Sequence, residues 1–455
     1  MELAGKKVLV FGTGKSGIGA ADLLQKTGAN VVLYDGKDTK SAEEILAQLP
    51  DSDGVQIVLG AFPMELIAEL DLAVLSPGVP TDLPEVLAMK EQGICIWGEV
   101  ELAYETGKGK VLAITGTNGK TTTTSLLGEI MKAFCPDVKV VGNIGIPYTS
   151  VALDETDDTV TVAEISSFQL ETIEKFHPLA SAITNITEDH LNRHHTMEEY
   201  IRVKELITKN QTMDDLCVLN YEDEILRSFG EQLTAEQKVQ VMYFSSLRPL
   251  EKGIYYQDGG IYLADGKETV LVTKTEELKL LGLHNFENVM VAVAMALHAG
   301  VPMETVRKVI KNFAGVEHRI EYVCEKDGIV YYNDSKGTNP DAAIKGIQAM
   351  NRPTLLIGGG YDKQSTYEDW IRAFDGKVRY LVLIGATKEK IAEAARAVGF
   401  NDILFAENLE EAVQICRQMA NPGDAVLLSP ACASWDQFDS YEQRGELFKE
   451  YVRAL

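Results

Sequence analysis

The stretch of sequence that decides the fold is TGTNGKTT, residues 115–122. A β-branched run, Val111 to Ile114, comes directly before it, and a helical pattern of apolar residues follows it. The glycines let backbone N–H groups face oxygen atoms, the start of a helix adds positive potential, and the lysine adds a full charge. The sequence therefore predicts a phosphate-binding loop made by Gly116, Thr117, Asn118, Gly119, Lys120, Thr121 and Thr122.

This loop is not a standard Walker A sequence. The first glycine of G-x-x-x-x-G-K-[ST] would fall at Ile114. A glycine-rich turn with an incidental Gly-Lys-Thr is the alternative interpretation. The flanking strand and helix favour a nucleotide site, in which the Thr121 hydroxyl is a candidate Mg²⁺ ligand.

The same order of β-branched run, glycine-containing turn and helical stretch recurs along the 455 residues. It is typical of parallel sheets with crossover helices. We predict an α/β protein of three domains: a Rossmann-like domain over 1–106, a central P-loop ATPase-type domain over 107–314 and a Rossmann-like carboxyl-terminal domain over 315–455. A β-rich excursion is expected at 239–272, and an apolar helix at 288–298.

Composition excludes several classes of protein. A hydrophobic fraction of 45% and a charged fraction of 24% indicate a folded protein. The six cysteines are scattered without a C-x-x-C pair, as in reduced thiols. A formal charge of −25 argues against a nucleic-acid partner. Because there is no signal-like amino terminus and no long apolar run, we expect no membrane insertion and a cytoplasmic location.

Two residues of the central block are candidate metal ligands. Glu164 ends a strand-like alternating run, and His190 follows another short apolar run. Carboxylates at the ends of buried strands, in the same domain as a phosphate loop, suit Mg²⁺. Taken alone, Glu164 could be a surface residue at a turn and His190 a structural histidine.

Lys204 lies in the middle of an apolar stripe if 197–208 is a helix. The stripe consists of Met197, Tyr200, Ile201 and Ile207. Burial would favour the neutral amine, which can add carbon dioxide and become a carbamate, an anionic oxygen ligand. The alternative is that the stem packs while the ammonium reaches solvent.

A second glycine-rich segment, GTGKSG at residues 12–17, follows the first strand and opens a helix. With Asp35 at the end of the second strand, it fits a dinucleotide fingerprint. A UDP-sugar also carries a diphosphate and a ribose, so the motif does not separate the two ligands. The phosphate loop in the next domain disfavours a nicotinamide dehydrogenase.

The third block contains two further candidate segments. NDSKGTNP, residues 333–340, leads into a helix with proline in its first turn and aims backbone amides and a lysine at an anion. An ordinary capped helix start is the alternative. SPACASWDQF, residues 429–438, follows a strand and supplies hydroxyl and backbone donors.

Together with SPG at 76–78 and LHNFEN at 283–288, these strings resemble those of the Mur ligases of peptidoglycan synthesis over essentially the full chain. The shortened phosphate loop is shared with the folylpolyglutamate synthetases. The resemblance implies an ADP-forming amide ligase that uses ATP, Mg²⁺ and an acyl-phosphate intermediate. Within the family it implies addition of D-glutamate to UDP-N-acetylmuramoyl-L-alanine by a monomer, in cell-wall synthesis and hence in cell shape and division.

The resemblance also assigns roles to individual residues. It implies catalytic roles for Lys120, His190 and Lys204, and two Mg²⁺ ions held by Thr121, Glu164, His190 and carbamylated Lys204. It implies nucleotide contacts from Asn285, Asn288, Arg319 and Asp334. It implies substrate contacts from Lys15, Ser16, Asp35, Gly78, Asn143, Lys336, Thr338, Ser434 and Phe438.

Three other functions stay open at this level. They are a Mur-type or folate ligase with another substrate, a nicotinamide dehydrogenase, and a nucleotide-binding module without activity. Amino-acid-dependent release of ADP would separate them. The acceptor of the amine proton is also open, with His190 and water as candidates.

Overall fold

The computed structural model describes residues 2–37 and 39–455. Strands alternate with helices in three successive sheets, which confirms the predicted α/β class. The chain forms two compact units, one of Met1–Val272 with Glu287–Val309 and one of Thr273–Phe286 with Ile310–Leu455. The first unit contains the first sheet and all of the second except Thr273 and Lys274. The domain bounds at 106 and 314 stay a prediction.

The first sheet has five parallel strands in the order β3-β2-β1-β4-β5. Its residues alternate between two apolar cores, so that Val8 and Val10 pack on one face and Leu9 and Phe11 on the other. Burial of both faces explains why the strands are almost wholly apolar. The elements are β1 (Lys7–Phe11), α1 (Lys15–Lys26), β2 (Asn30–Asp35), α2 (Ala42–Leu46), β3 (Gln56–Leu59), β4 (Leu72–Leu75), α3 (Pro84–Glu91), β5 (Cys95–Gly98) and α4 (Glu99–Thr106).

The second sheet has nine strands in the order β14-β13-β12-β11-β10-β9-β6-β8-β7. Its strands are β6 (Lys110–Thr115), β7 (Val138–Gly142), β8 (Val160–Glu164), β9 (Ala180–Ile183), β10 (Leu216–Asn220), β11 (Gln240–Ser245), β12 (Lys252–Gln257), β13 (Gly260–Asp265) and β14 (Thr269–Lys274). The pairs from β7 to β12 are parallel, and β12 pairs with β13 antiparallel. Strands β11 to β14 confirm the predicted β-rich excursion.

Seven helices belong to this part of the chain. They are α5 (Lys120–Lys132), α6 (Ser167–Leu170), α7 (Leu191–His194), α8 (Met197–Glu205), α9 (Glu224–Ala235), α10 (Leu283–His298) and α11 (Met303–Asn312). The predicted helix at 197–208 ends as a tighter 3₁₀ turn from Leu206. Helix α10 begins five residues before the predicted start, because its polar first turn hides the apolar period.

The third sheet has six strands in the order β15-β16-β20-β17-β18-β19. Strand β15 is antiparallel to β16 at one edge, and the remaining pairs are parallel. The elements are β15 (Glu321–Lys326), β16 (Ile329–Asn333), α12 (Pro340–Gln348), β17 (Thr354–Gly359), α13 (Glu368–Arg372), β18 (Val378–Ile384), α14 (Lys388–Ala397), β19 (Ile403–Phe405), α15 (Leu409–Met419), β20 (Ala425–Leu428) and α16 (Tyr441–Ala454).

None of the helices in the described residues is both long enough and apolar enough to span a membrane.

Candidate active site

The phosphate loop joins β6 to α5 and needs glycine at two positions. Gly116 and Gly119 have φ angles of 138° and 87°, in the left-handed region. A Cβ at Gly116 would lie 1.9 Å from Thr184 Oγ1, and one at Gly119 would lie 2.4 Å from Asn288 Oδ1. Only glycine can therefore bring the loop this close to its neighbours.

The strand end after β9 holds the loop in place. The Thr117 and Asn118 amides donate to Asn185, to its carbonyl and its side-chain oxygen, at 2.9 Å each. Thr184 Oγ1 donates to the Asn118 carbonyl at 2.6 Å. Because β9 lies beside β6 in the sheet, Asn185 can hold the phosphate loop although it lies 67 residues after Asn118 in the chain.

Two lysines converge on one carbonyl of the loop. Lys120 Nζ lies 2.8 Å from the Gly116 oxygen, and Lys204 Nζ lies 2.9 Å from the same oxygen. Lys204 also contacts Thr115 Oγ1 at 3.5 Å and lies 4.7 Å from the Tyr200 ring centroid. The two amino groups are therefore close together at the start of α5.

Lys204 is only 2% exposed, which excludes the alternative in which its ammonium reaches solvent. Burial, together with the charge of Lys120, lowers the pKa of Lys204 from 10.5 to about 7. A large fraction of the side chain is therefore neutral near pH 7, the form that reacts with carbon dioxide. The carbamate itself stays a prediction.

Glu164 ends β8 as a buried carboxylate, 2% exposed. Its Oε1 accepts a hydrogen bond from Asn143 Nδ2 at 2.8 Å. Its Oε2 is buried, and no described residue donates to it. A buried carboxylate oxygen without a donor is costly, and a cation at this oxygen would offset the cost.

His190 lies just before α7, with a left-handed backbone (φ 54°) and a side chain that is 49% exposed. Its ring centroid is 4.9 Å from that of Phe168. Thr121 is the second residue of α5. A carboxylate, a hydroxyl and an accessible imidazole are donors compatible with a divalent cation. The residues at this site therefore fit Mg²⁺, although no described contact joins all three.

The described residues contain another group with metal-ligand atoms, Glu317, His318 and Glu446. Lys449 Nζ already lies 2.7 Å from Glu317 and 2.8 Å from Glu446. The ammonium supplies the positive charge there, so this group needs no metal.

A cavity of about 810 Å³ lies beside the first sheet, and we call it the amino-terminal cavity. It brings together the five residues predicted there from sequence, and its lining includes Lys15, Ser16, Asp35, Gly78 and Asn143. Asn143 therefore lines this cavity and also bonds Glu164.

Asp35 is fixed at the rim of the amino-terminal cavity. Its Oδ2 accepts from the Thr13 amide at 3.0 Å and from the Thr13 hydroxyl at 2.6 Å, and its Oδ1 accepts from the Lys37 amide at 3.0 Å. Partial burial opposes ionisation, but these hydrogen bonds outweigh it and lower the pKa of Asp35. The residue is an anionic acceptor at neutral pH.

In the second unit, Lys336 and Thr338 lie in the loop between β16 and α12, and Ser434 is buried after β20. Lys336 Nζ is 5.7 Å from the ring centroid of Tyr441. Phe438 packs at the margin of the core on one face of the sheet. Sequence reasoning did not single out Tyr441, which begins α16 directly after its Ser440 cap.

Asp334, predicted as a nucleotide contact, is turned inward. Its Oδ2 accepts from Ser429 Oγ at 2.7 Å and its Oδ1 from the Ile320 amide at 3.3 Å. Burial raises the pKa of Asp334 to about 7, against the effect of Ser429. Arg319 and Asn285 also belong to the second unit, whereas Asn288 Oδ1 accepts from the hydroxyl of Thr123, the residue after the phosphate loop, at 3.2 Å. The four nucleotide contacts stay predictions.

The chain shares its fold with solved structures of MurC and MurF. The UDP-N-acetylmuramate-alanine ligase MurC of Thermotoga maritima superposes with a TM-score of 0.57 at 19% identity, over 99% of both chains. A MurF structure from Acinetobacter baumannii superposes with a TM-score of 0.59 at 17% identity, over 92% of this chain and 91% of that one.

Sequence comparison identifies the family. Three family models match in order: the Mur ligase MurD-like N-terminal domain at 6–98, the Mur ligase middle domain at 114–296 and the Mur ligase glutamate ligase domain at 318–432. The chain belongs to the Mur ligase family. Relatives named UDP-N-acetylmuramoylalanine--D-glutamate ligase are 56% identical in Lachnoclostridium phytofermentans, over 100% of this chain and 99% of the relative, and 45% identical in Clostridioides difficile, over 100% of both.

Proposed function

We propose that the chain joins D-glutamate to UDP-N-acetylmuramoyl-L-alanine and converts ATP to ADP and phosphate through an acyl phosphate. The names of its full-length relatives support this substrate pair. The structural observation that carries the proposal is the position of Asn143, which lines the amino-terminal cavity and donates to Glu164 at 2.8 Å. A substrate held in the cavity would therefore extend towards the candidate metal site.

The amino-terminal cavity would bind the UDP portion of the substrate. The start of α1 follows residues 12–14 of the cavity wall and presents backbone amides to a diphosphate. Asp35 is held as a carboxylate by Thr13 and would accept hydrogen bonds from a ribose or base. Lys15 adds a positive charge to a protein whose net charge is −25.

The phosphate loop would bind ATP. Lys120 and Lys204 both donate to the Gly116 carbonyl oxygen, and a phosphate oxygen would replace it as the partner of either amino group. Mg²⁺ bound by Glu164, Thr121 and His190, with a second ion near a carbamylated Lys204, would offset the charges of the phosphates and the substrate carboxylate. The Glu164 oxygen without a donor supports this assignment.

In the first step a carboxylate oxygen of the substrate attacks the γ-phosphorus, and the bond to the β-phosphate oxygen breaks to release ADP. Two anions must approach each other in this step. Lys120 would lower the barrier by offsetting their charge and holding the phosphate in line with the carboxylate.

In the second step the amine of D-glutamate attacks the acyl carbon, phosphate leaves, and the amine proton passes to a base. His190, whose imidazole is exposed, would be a candidate only when it does not bind the metal, and water is the alternative. Lys336, Thr338, Ser434 and Phe438 would hold the amino acid, with Asn285, Asn288, Arg319 and Asp334 at the nucleotide. We also propose that the chain acts as a cytoplasmic monomer in cell-wall synthesis.

The test is substrate-dependent release of ADP. The full chain is incubated with ATP, Mg²⁺ and UDP-N-acetylmuramoyl-L-alanine, and with D-glutamate, L-glutamate, L-lysine or diaminopimelate. We expect release only with D-glutamate, and none from Lys120→Ala. Lys132→Ala, at the exposed end of the same helix, is the matched control and should keep full activity. Absence of ADP from the wild-type chain with D-glutamate would refute the proposal.

A further inference from the structure

Arg193, in the short helix after His190, reaches the wall of the amino-terminal cavity. Its Nη2 donates to the Val79 carbonyl at 2.8 Å. Val79 closes a turn with Ser76, through a backbone hydrogen bond of 2.9 Å, and both residues line the cavity. A side chain three residues after His190, the candidate metal ligand, therefore holds a turn that lines the amino-terminal cavity.

The turn packs directly on the glycine-rich loop of the first sheet. A Cβ at Gly12 would lie 2.7 Å from Ser76 Oγ, and one at Gly17 would lie 3.0 Å from it. Ser76 Oγ also lies 3.5 Å from the Gly12 carbonyl. Both the loop and the turn line the amino-terminal cavity, so a ligand in that cavity restricts the position of the turn.

The guanidinium of Arg193 is fixed by a second partner. Glu171 accepts from its Nη2 at 2.6 Å and from its Nε at 3.3 Å, in a two-point pair. The two side chains are only 11% and 9% exposed. A shielded two-point pair sets the plane of the guanidinium as well as its distance.

Phe168 connects Arg193 to the candidate metal ligand. The guanidinium carbon lies 5.1 Å from the Phe168 ring centroid, and the His190 ring centroid lies 4.9 Å from the same ring. His194 also contacts this ring at 5.5 Å, and its Nε2 lies 2.9 Å from Ser167 Oγ. The position of Phe168 therefore depends on Arg193 and in turn limits the position of the exposed His190 imidazole.

We infer that Arg193 is a positioning residue that couples the two sites: substrate in the amino-terminal cavity restrains the turn 76–79, and Arg193 and Phe168 transmit that restraint to His190. Binding of the UDP-linked substrate then favours binding of the metal. By reciprocity, the metal favours the substrate by the same factor. This inference rests on the proposed function, because it takes the UDP-linked substrate and a divalent metal as the ligands.

The test measures Mn²⁺ affinity in the full chain, from the electron paramagnetic resonance signal of free Mn²⁺. The dissociation constant is determined without and with saturating UDP-N-acetylmuramoyl-L-alanine, in the absence of ATP. Any direct contact of the substrate carboxylate with the metal is retained in an Arg193 variant. The difference between wild type and Arg193→Met in the substrate effect therefore isolates the contribution of Arg193.

We expect the tightening of Mn²⁺ binding by substrate to be about 10-fold smaller in Arg193→Met, the usual order of such couplings. Arg193→Lys should restore part of it, because lysine can donate to Val79 but cannot pair with Glu171 at two points. Arg202→Met is the matched control, since Arg202 is an exposed residue of α8 paired with Glu199, and it should keep the wild-type effect.

Thermal unfolding establishes that each variant is folded, and Glu171→Gln replaces Arg193→Met if that variant is not. An equal substrate effect in wild type and in the folded variant would overturn the inference. If the wild-type chain forms ADP with D-glutamate in that case, the proposed function stands and only the coupling is wrong. No ADP from the wild-type chain would instead remove the proposed function.

Discussion

Replacement of Lys204 by methionine should stabilise the protein at neutral pH while it abolishes turnover. Lys204 is 2% exposed, and burial lowers its pKa from 10.5 to about 7. Methionine has a similar length and no charge, so it fills the same space without the cost of burying an ammonium group. The burial of Lys204 at the phosphate loop therefore destabilises the folded state.

The magnitude follows from the pKa difference. At 1.36 kcal/mol per pKa unit, the fall from 10.5 to about 7 costs the folded state roughly 4 kcal/mol at pH 7. The substitution also removes the hydrogen bond to the Gly116 carbonyl at 2.9 Å, which costs about 1–3 kcal/mol if that oxygen loses its partner. Lys120 still donates to the same oxygen at 2.8 Å, so the loss is at the low end. We expect a net gain of about 3 kcal/mol at pH 7.

The difference in stability between Lys204→Met and the wild type depends on pH. Between pH 7 and 10.5 the unfolded chain binds the Lys204 proton and the folded chain does not, so wild-type stability rises with pH. The stability of Lys204→Met lacks this contribution. The advantage of the variant should therefore be greatest at pH 7 and below and disappear near pH 10.

The assay is urea unfolding followed by circular dichroism at several pH values between 6 and 10. Buffers are free of carbon dioxide, so that no carbamate forms. Lys132→Met, at an exposed residue of α5, is the control and should follow the wild type at each pH. If Lys204→Met is less stable than the wild type by the same amount at pH 7 and pH 10, the burial argument is wrong.

Three more substitutions test the site. Gly116→Ala combines a left-handed backbone with a Cβ 1.9 Å from Thr184 Oγ1, and it should lower the free energy of unfolding in urea by about 3–5 kcal/mol. The control is Gly54→Ala, at a position with φ 73° and open space, which should lower it by only about 1 kcal/mol. Equal losses in the two variants would contradict the argument. Asp35→Asn should raise the KM for the UDP-linked substrate about 10-fold and leave the KM for ATP unchanged, because the carboxylate lines only the amino-terminal cavity. Asn143→Ala should weaken Mn²⁺ binding about 10-fold or more in a direct titration, since the amide orients a carboxylate at 2.8 Å, and unchanged affinity would place the metal elsewhere.

Much of the architecture could be predicted from sequence because it is encoded locally. Strands such as KVLVF at 7–11 must be buried on both faces, and that requires a parallel sheet covered by helices. The phosphate loop was equally predictable, since Gly116 and Gly119 adopt backbone angles that only glycine takes easily. The start of α10 was not, because polar residues in its first turn interrupt the apolar period.

The arrangement of the site depends on contacts between residues far apart in the chain. The apolar period of the helix allowed the Lys204 amino group to be either buried or exposed to solvent. In the tertiary structure it donates to the carbonyl of Gly116, 88 residues earlier in the chain. Asp334 turns inward only because β20 brings Ser429 beside it.

By itself, the sequence determined the class of fold, the phosphate loop and the residue types available for chemistry, because each of these depends on neighbouring residues and on backbone angles. Only the tertiary structure decided that Lys204 is buried, that Asn143 bonds Glu164 and that Arg193 donates to Val79. The order of strands in the sheets sets these distances and burials, and no short stretch of sequence contains that order.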